Sequence, residues 1–384
     1  MPFNLIHLFK YPDEFTALYK MKFLQPGGSV NDISSFTNNH KLSDLQFCYA
    51  ILNKVSRSFS TVICQLPTEI RDVICVFYLV LRGLDTIEDD FRIPAEKRKK
   101  LLLNFYQNSF DPQWTISGVG DSKDYQLLLE NYQRVTSIFQ GLKREYQEII
   151  SQTCQEMGAG MASFIGKEIH SVEDYNHYCH FVAGKVGIGL SKIFSVSGLE
   201  HEELQNETEL SNSMGIFLQK TNIIRDYHED LILNRKFWPQ EIWGKYADTL
   251  GDLRYKEFDA LACLNHMVTD AMKHAILCLK YLELIQNKMI FQFCAIPQVM
   301  AISTLVEIYN NAQLFYRNVK IRKGLAAKLI LNTQNMNDVR EVFLEMGNKM
   351  LKKASLKDSN FQLLVRYLCQ VANPDKVRIK EEFL

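Results

Sequence analysis

The 384-residue chain contains little proline and glycine, with 9 and 18 residues respectively, and it has no excess of either charge. Few prolines leave room for long helices, because proline inside a helix removes a hydrogen bond and clashes with the preceding turn. Its 44 Lys and Arg residues equal its 44 Asp and Glu residues, whereas a general nucleic-acid binder usually has a basic excess. With 47% hydrophobic residues, the composition excludes a disordered or collagen-like chain and argues against nucleic acid as a partner.

The alternating pattern of a half-buried strand is also missing, and no Asn-Gly or Asp-Gly pair joins two apolar runs. Apolar residues instead recur at three- and four-residue spacings, which predicts helices. The strongest helical patterns cover residues 75–84, 124–150, 207–226, 258–285 and 338–355. No linker rich in proline, glycine or serine separates them. We therefore predict a single all-α domain over residues 1–384.

The nine cysteines contain no CxxC pair and show no regular spacing. We interpret them as reduced, mostly buried thiols in a non-oxidising compartment, rather than as a disulfide framework. Residues 289–306 carry no charge, and this length is close to that of a membrane span. The run contains Gln292, Pro297 and Gln298 and is bordered by charged residues, so we predict a helix buried in a large core.

Two acidic clusters match the pattern D-x-x-E-D. They consist of Asp85, Glu88 and Asp89, and of Asp226, Glu229 and Asp230. On a helix these positions share one face, and three carboxylates on one face repel each other unless cations neutralise them. Oxygen ligands favour Mg²⁺, which prefers one or two carboxylates together with water and substrate phosphates. The clusters therefore indicate a diphosphate ligand, although two solvated acidic helix ends would give the same pattern.

Basic residues accompany both clusters. Arg82 precedes Asp85 by three residues, Arg225 directly precedes Asp226, and Arg57 lies upstream in the stretch 56–60. A compact basic segment, VKIRKG, occupies residues 319–324. Arginine suits bidentate phosphate contacts, so a small anionic ligand is expected. A solvated helix end would be the simpler explanation of the basic segment.

Tyr178 begins a stretch rich in small residues, YCHFVAGKVGIGLS, at 178–191. Its hydroxyl could accept a proton, and its ring could stabilise a cation. A packed, amphipathic tyrosine remains the alternative. The neighbouring histidines lack the spacing of a zinc site.

Taken together, these stretches resemble the squalene synthases of the squalene/phytoene synthase family. The resemblance runs in family order from about residue 40 to 330. It is carried by VSRSFS (55–60), FYLVLRGLDTIEDD (77–90), YCHFVAGKVGIGLS (178–191), SMGIFLQKTNIIRDYHED (213–230), RKFWPQEIW (235–243), CAIPQVMAI (294–302) and VKIRKG (319–324).

The resemblance implies the all-α isoprenoid synthase fold, with helices around a central cavity and the two clusters on opposite walls. Both clusters would bind Mg²⁺ and farnesyl diphosphate, and Asp85, Asp89, Asp226 and Asp230 would be catalytic together with Tyr178. Phosphates of the substrate or of NADPH would contact Arg57, Arg82, Arg225, Lys320 and Arg322. Farnesyl chains and intermediates would contact Ser58, Phe59, Tyr78, Gln219, Asn222, Phe293 and Gln298.

The implied activity is the head-to-head condensation of two farnesyl diphosphates to presqualene diphosphate, followed by NADPH-dependent conversion to squalene in sterol biosynthesis. A phytoene- or dehydrosqualene-type synthase, which omits the reduction, is the alternative. A non-catalytic isoprenoid-binding protein is a third. The sequence departs from the family at 231–236, LILNRK, where a polar, glycine-rich loop is common.

Family members usually continue into a C-terminal helix that holds them on the cytosolic face of the endoplasmic reticulum membrane. The resemblance implies the same location for a full-length form. Because this sequence ends before such a helix, we expect a shortened, soluble chain, and we expect a monomer.

Overall fold

The computed structural model describes residues 11–23, 42–108 and 110–371, apart from the side chains of Arg57 and Ser58. Within these ranges it contains eighteen α-helices and no strand. The helices up to residue 196 are α1 (Pro12–Phe23), α2 (Asp44–Val55), α3 (Arg57–Ile63), α4 (Thr68–Asp89), α5 (Ala95–Asn108), α6 (Lys123–Glu130), α7 (Tyr132–Gln140), α8 (Arg144–Phe164), α9 (Val172–Cys179) and α10 (Lys185–Val196). The later helices are α11 (Thr208–Arg225), α12 (Tyr227–Ile232), α13 (Gln240–Trp243), α14 (Glu257–Leu284), α15 (Lys288–Ile308), α16 (Lys323–Asn332), α17 (Met336–Lys353) and α18 (Phe361–Val371).

The described residues fall into two compact units. The first unit comprises residues 42–108, 110–168 and 178–212, and the second comprises residues 11–23, 169–177 and 213–371. The first acidic cluster lies in the first unit, and the second cluster lies in the second unit. The single domain expected from the sequence stays a prediction.

Helix α4 forms the centre of the first unit, as its all-round apolar pattern predicts. Thirteen of its 22 residues are buried, and it contacts α2, α5, α7 and α8. A helix that is apolar on every side must be covered on every side. Neighbouring helices therefore hold α4 in place, and its last two turns carry Asp85, Glu88 and Asp89.

Helices α14 and α15 form the corresponding core of the second unit. By length and composition α15 is the one described helix that could cross a membrane, but 78% of its most apolar stretch is buried inside the structure. It packs against α14, α16 and α17. This burial supports the predicted core helix at residues 289–306.

One predicted helix is wrong in its extent. Residues 124–150 form parts of three helices, α6, α7 and α8, and not one. The chain leaves helical geometry at Asn131, whose φ is −120°, and turns again after α7 at Gly141. The other four predicted patterns lie within or closely match α4, α11, α14 and α17.

Candidate functional site

The first acidic cluster occupies the last two turns of α4. Asp85, Glu88 and Asp89 are helical, whereas Asp90 lies just beyond the helix end. Arg92 donates to both carboxylate oxygens of Asp90, at 2.8 and 2.6 Å, and the Gly120 N–H donates to it at 2.9 Å. These bonds lower the pKa of Asp90 to about 2. Asp90 therefore closes a turn, and it lies outside the D-x-x-E-D pattern.

Two carboxyl groups of the α4 cluster, those of Asp85 and Glu88, resist ionisation. Burial and the neighbouring Asp89 raise the pKa of Asp85 to about 7, although Arg82 opposes the shift. Burial, followed by Asp89 and Asp85, holds the pKa of Glu88 well above its ordinary value. The last turn of a helix also carries partial negative charge, which adds to this repulsion. Such a cluster is suited to receiving a cation.

Arg82 lies beside this cluster, one turn before Asp85. Its Nη1 atom is 3.4 Å from Asp85 Oδ2, and its Nη2 donates to the Tyr78 hydroxyl at 3.2 Å. Its Nε is buried and has no hydrogen-bond partner among the described residues. The Phe59 ring packs 5.7 Å from that of Tyr78. The cluster thus contains an unsatisfied cationic donor next to aromatic surface, while the predicted roles of the Arg57 and Ser58 side chains lie outside the described residues.

Tyr178 belongs to the same unit and points toward the α4 cluster. It is 6% exposed, its hydroxyl donates to Glu88 Oε1 at 3.5 Å, and its ring meets Phe164 edge-on at 5.4 Å. Burial, and then Glu88 and Asp89, hold the pKa of Tyr178 well above its ordinary value. The phenol is therefore neutral and is placed against a carboxylate that the sequence predicts as a ligand.

A single turn of π-helix, here called the π-turn, spans His180–Gly184 and begins two residues after Tyr178. Nδ1 of His180 lies 2.7 Å from Oδ1 of Asn212 in a hydrogen bond. A Cβ at Gly184 would be only 1.9 Å from the same Asn212 oxygen, so any other residue there would displace the Asn212 side chain. Single π-turns inside helices are often found at functional sites. The tight contact with Asn212 holds this one in place.

The second acidic cluster has a cation or amide for each carboxylate. Arg225 makes two hydrogen bonds to Asp226, at 2.8 and 2.6 Å, and Arg235 pairs with Asp230 at 3.1 Å. Asn318 donates from Nδ2 to Glu229 Oε2 at 2.8 Å. Two arginines thus offset two of the three carboxylates of the second cluster, and at the first cluster Arg82 pairs with Asp85.

The remaining predicted substrate residues of the second unit lie on α11 and α15. Gln219 and Asn222 share a face of α11 with Asp226, because they lie seven and four residues before it. Phe293 is 6% exposed and Gln298 is 1% exposed. Gln298 donates to a backbone carbonyl of α11 at 3.2 Å, but its Oε1 is buried without a partner in the described part of the chain.

The basic segment leads into α16, and the two residues predicted to contact phosphate differ in their exposure and pairing. Lys320 is exposed, whereas Arg322 is about one-third exposed and already paired. Glu14 on α1 receives hydrogen bonds from Arg322 Nη2 at 2.7 Å and from Nε at 3.1 Å. Glu307 lies 3.5 Å from Nη1, and the Tyr11 ring covers the guanidinium at 4.1 Å.

The donor sets can be compared with the implied cofactors. Across the described ranges, no group of three or more His, Cys, Asp or Glu side chains forms a ready-made metal site. Mg²⁺ does not need one, since it usually keeps several waters and uses one or two carboxylates with substrate phosphates. The oxygen-only clusters and the unsatisfied Arg82 donor therefore fit Mg²⁺ with a diphosphate. In the basic segment, Lys320 is exposed and suits a phosphate of a dinucleotide, whereas Arg322 is engaged by Glu14 and Glu307.

Sequence reasoning missed four contacts of these residues. The sequence marked Arg235 only as part of the unusual segment 231–236. No sequence pattern pointed to Asn318, Asn212 or Glu14. Of these, only Arg235 could have been found, because a base five residues after Asp230 can fold back onto it across a short turn.

Known proteins are similar to this chain over the region that contains both acidic clusters. A family model described as squalene/phytoene synthase matches residues 52–324. Squalene synthase 1 of Arabidopsis thaliana is 50% identical over 320 residues, which cover 82% of this chain and 77% of that protein. Squalene synthase 1 of Panax ginseng is 46% identical over 358 residues, covering 92% and 83%. A solved structure of TcSQS with the ligand BPH1237 is 39% identical, with a TM-score of 0.83, and covers 89% of this chain and 99% of that one.

Proposed function

The chain belongs to the squalene/phytoene synthase family and has its all-α isoprenoid synthase fold, and from that premise we propose that it makes squalene from farnesyl diphosphate. Two farnesyl diphosphates would condense head to head to presqualene diphosphate, which would then be reduced with NADPH. The observation that carries this proposal is the α4 cluster, in which two crowded carboxylates, an unsatisfied Arg82 donor and the Tyr178 phenol meet.

The first half-reaction needs a diphosphate to leave from C1 of one substrate. Mg²⁺ held by the two acidic clusters would neutralise the charge of the leaving group. Arg82 would donate hydrogen bonds from Nε and Nη to the diphosphate at the first cluster. Arg225 would give up its hydrogen bonds to Asp226 and donate to the diphosphate at the second cluster instead. Gln219 and Asn222, on the Asp226 face of α11, would contact the second substrate.

Coupling of the allylic cation with the second alkene leaves a positive charge that is removed when a proton departs and the cyclopropane closes. Tyr178 is the group assigned to this step. Its oxygen can accept the proton while its own hydroxyl proton passes toward Glu88 Oε1, 3.5 Å away. Its ring face can stabilise the cation before that transfer.

The second half-reaction needs a dry pocket and a reductant. NADPH would supply the hydride that ends the rearrangement. Lys320 and Arg322 would bind its phosphates. Phe59 and Tyr78 in the first unit, and Phe293 in the second unit, would present apolar surface that excludes water from the cation. The unpartnered Oε1 of Gln298, in the second unit, would offer one polar contact.

We extend the proposal to the cellular setting by family analogy. The squalene formed would enter sterol biosynthesis, and the enzyme would act as a monomer at the cytosolic face of the endoplasmic reticulum membrane. A phytoene- or dehydrosqualene-type activity is the competing assignment. No described contact favours it over the reductive one.

The test is an incubation of the purified full chain with farnesyl diphosphate and Mg²⁺, with and without NADPH, in which diphosphate release and the hydrocarbon product are both measured. We expect presqualene diphosphate without NADPH and squalene with it. Dehydrosqualene formed in the presence of NADPH would assign the other branch, and ligand binding without diphosphate release would refute an enzyme. Asp248→Asn, at a carboxylate that is 95% exposed, is the control variant and should behave as the parent.

A further inference from the structure

Helix α1 is docked on the basic segment through charged groups of its first turn. Glu14 accepts three hydrogen bonds from Arg322, and Asp13 lies 3.7 Å from Lys328 on α16. The Glu14 side chain is 12% exposed in this arrangement, whereas that of Asp13 is 80% exposed. Glu14 is therefore the buried member of this docking contact.

The docking is close because Gly324 leaves room for it. A Cβ at Gly324 would lie 2.6 Å from Glu14 Cβ and 3.4 Å from the Glu14 carbonyl carbon. Real Cβ atoms do not approach a carbon this closely, so any other residue at 324 would move Glu14 away. The Tyr11 ring, 4.1 Å from the Arg322 guanidinium, covers the same group from another side.

Arg322 is thus paired with carboxylates, which are anionic oxygen acceptors as a phosphate would be. Glu14 occupies Nε and Nη2, and Glu307 lies 3.5 Å from Nη1, so two carboxylates surround one guanidinium. A phosphate that approached Arg322 with both carboxylates in place would meet net negative charge. A phosphate offers the guanidinium the same paired oxygen geometry as the Glu14 carboxylate and more negative charge, so it can replace Glu14 on Arg322, whose side chain is one-third exposed.

We infer that Glu14 competes with the anionic cofactor for Arg322, so that Glu14 sets the affinity of the reductive step and α1 leaves the basic segment when cofactor phosphates bind. This inference rests on the proposed use of NADPH. Glu14 would act only on cofactor binding, and the condensation that precedes reduction would not depend on it.

Hydrogen exchange of the full chain provides a test that does not depend on turnover. The amides of residues 12–23 are followed by mass spectrometry with and without NADP⁺. We expect NADP⁺ to increase exchange in α1, and Glu14→Gln to increase it without NADP⁺. Unchanged or slowed exchange on adding NADP⁺ would overturn the inference, since slowing would mean that Glu14 supports Arg322 in the bound state. Arg322→Ala should abolish the response.

Steady-state kinetics give the second measurement. Glu14→Gln should lower the KM for NADPH about two- to fivefold, the range that corresponds to a partly exposed ion pair, with presqualene diphosphate formation unchanged. Gly324→Ala should act in the same direction, and Asp13→Asn is the matched control with no expected effect. A raised or unchanged KM in Glu14→Gln would overturn the inference.

The two proposals fail in different ways. If squalene is produced and α1 does not respond to NADP⁺, the inference about Glu14 is wrong and the proposed function stands. If α1 responds to NADP⁺ but no squalene forms, the proposed function is wrong, and the competition for Arg322 stands.

Discussion

Lys220 is a fully buried cation in the second unit, and it forms an ion pair with Asp270. Its side chain is 0% exposed, its Nζ lies 2.5 Å from Asp270 Oδ2, and it faces the Tyr175 ring at 4.9 Å. Lys273 contacts the other Asp270 oxygen at 2.6 Å but is 31% exposed. One aspartate therefore joins a buried and a partly exposed lysine, and this permits a direct comparison.

Replacing Asp270 by asparagine should destabilise the protein by about 3–5 kcal/mol, because it removes the carboxylate of a buried ion pair and leaves the buried Lys220 charge in place. Lys273→Ala should cost only about 0.2–1 kcal/mol, since water already screens that pair. The double variant Lys220→Met with Asp270→Asn removes both charges and should recover most of the loss.

The dependence on pH has a defined sign. Burial opposes ionisation of Asp270, but Lys220 and Lys273 outweigh it, so the pKa of Asp270 is lowered in the folded state. A carboxylate with a lowered pKa stabilises the fold above its unfolded pKa of about 3.9, and that stabilisation is lost as pH falls through the folded value. The difference between Asp270→Asn and the parent should therefore be constant from pH 5 to 8 and shrink below about pH 4.

Urea unfolding followed by circular dichroism measures these changes as shifts of the midpoint at constant slope. The expected order of stability is parent, Lys273→Ala, the double variant and then Asp270→Asn. If Asp270→Asn costs no more than Lys273→Ala, the reasoning from burial is refuted, because the Lys220 charge would then be solvated in solution.

Four further substitutions test the site. Asp85→Asn or Asp226→Asn should lower turnover at least 100-fold without loss of helicity by circular dichroism, because each would remove a proposed metal ligand from its cluster; near-parental turnover in both would refute the metal assignment. Tyr178→Phe should slow presqualene diphosphate formation 10²- to 10⁴-fold, and an effect confined to the NADPH-dependent step would contradict its role. Gly184→Ala should expel Asn212 from the π-turn and slow the same step, and unchanged kinetics would show that the π-turn does not position the site.

Local features of this fold were accessible from sequence. The helix predicted at 258–285 is observed as α14, Glu257–Leu284, and the all-round apolar pattern at 75–84 correctly indicated the central helix α4. Both depend on contacts between residues three or four apart, which spacing determines. The pattern failed at 124–150 because apolar spacing continued in phase across the turns at Asn131 and Gly141, and only the backbone shows those breaks.

Long-range partners were not accessible in the same way. Asn318 lies 89 residues from Glu229, and Glu14 lies 308 residues from Arg322. With 44 acidic and 44 basic residues in the chain, opposite charge alone allows many pairings, and burial selects among them. The segment 319–324 was correctly seen as basic, but its occupation by α1 required the tertiary structure.

The π-turn at His180–Gly184 also determines how this region tolerates changes in length. A π-turn contains one residue more than the α-helical turn it replaces, so deleting one residue there would restore ordinary α-helical hydrogen bonding. Because the wider turn accommodates its extra residue, the helix downstream would keep close to its present orientation, and the change would be confined to the contact between Gly184 and Asn212. The spacing from Tyr178 to Gly184 therefore matters for the shape of this turn and not for the direction of α10.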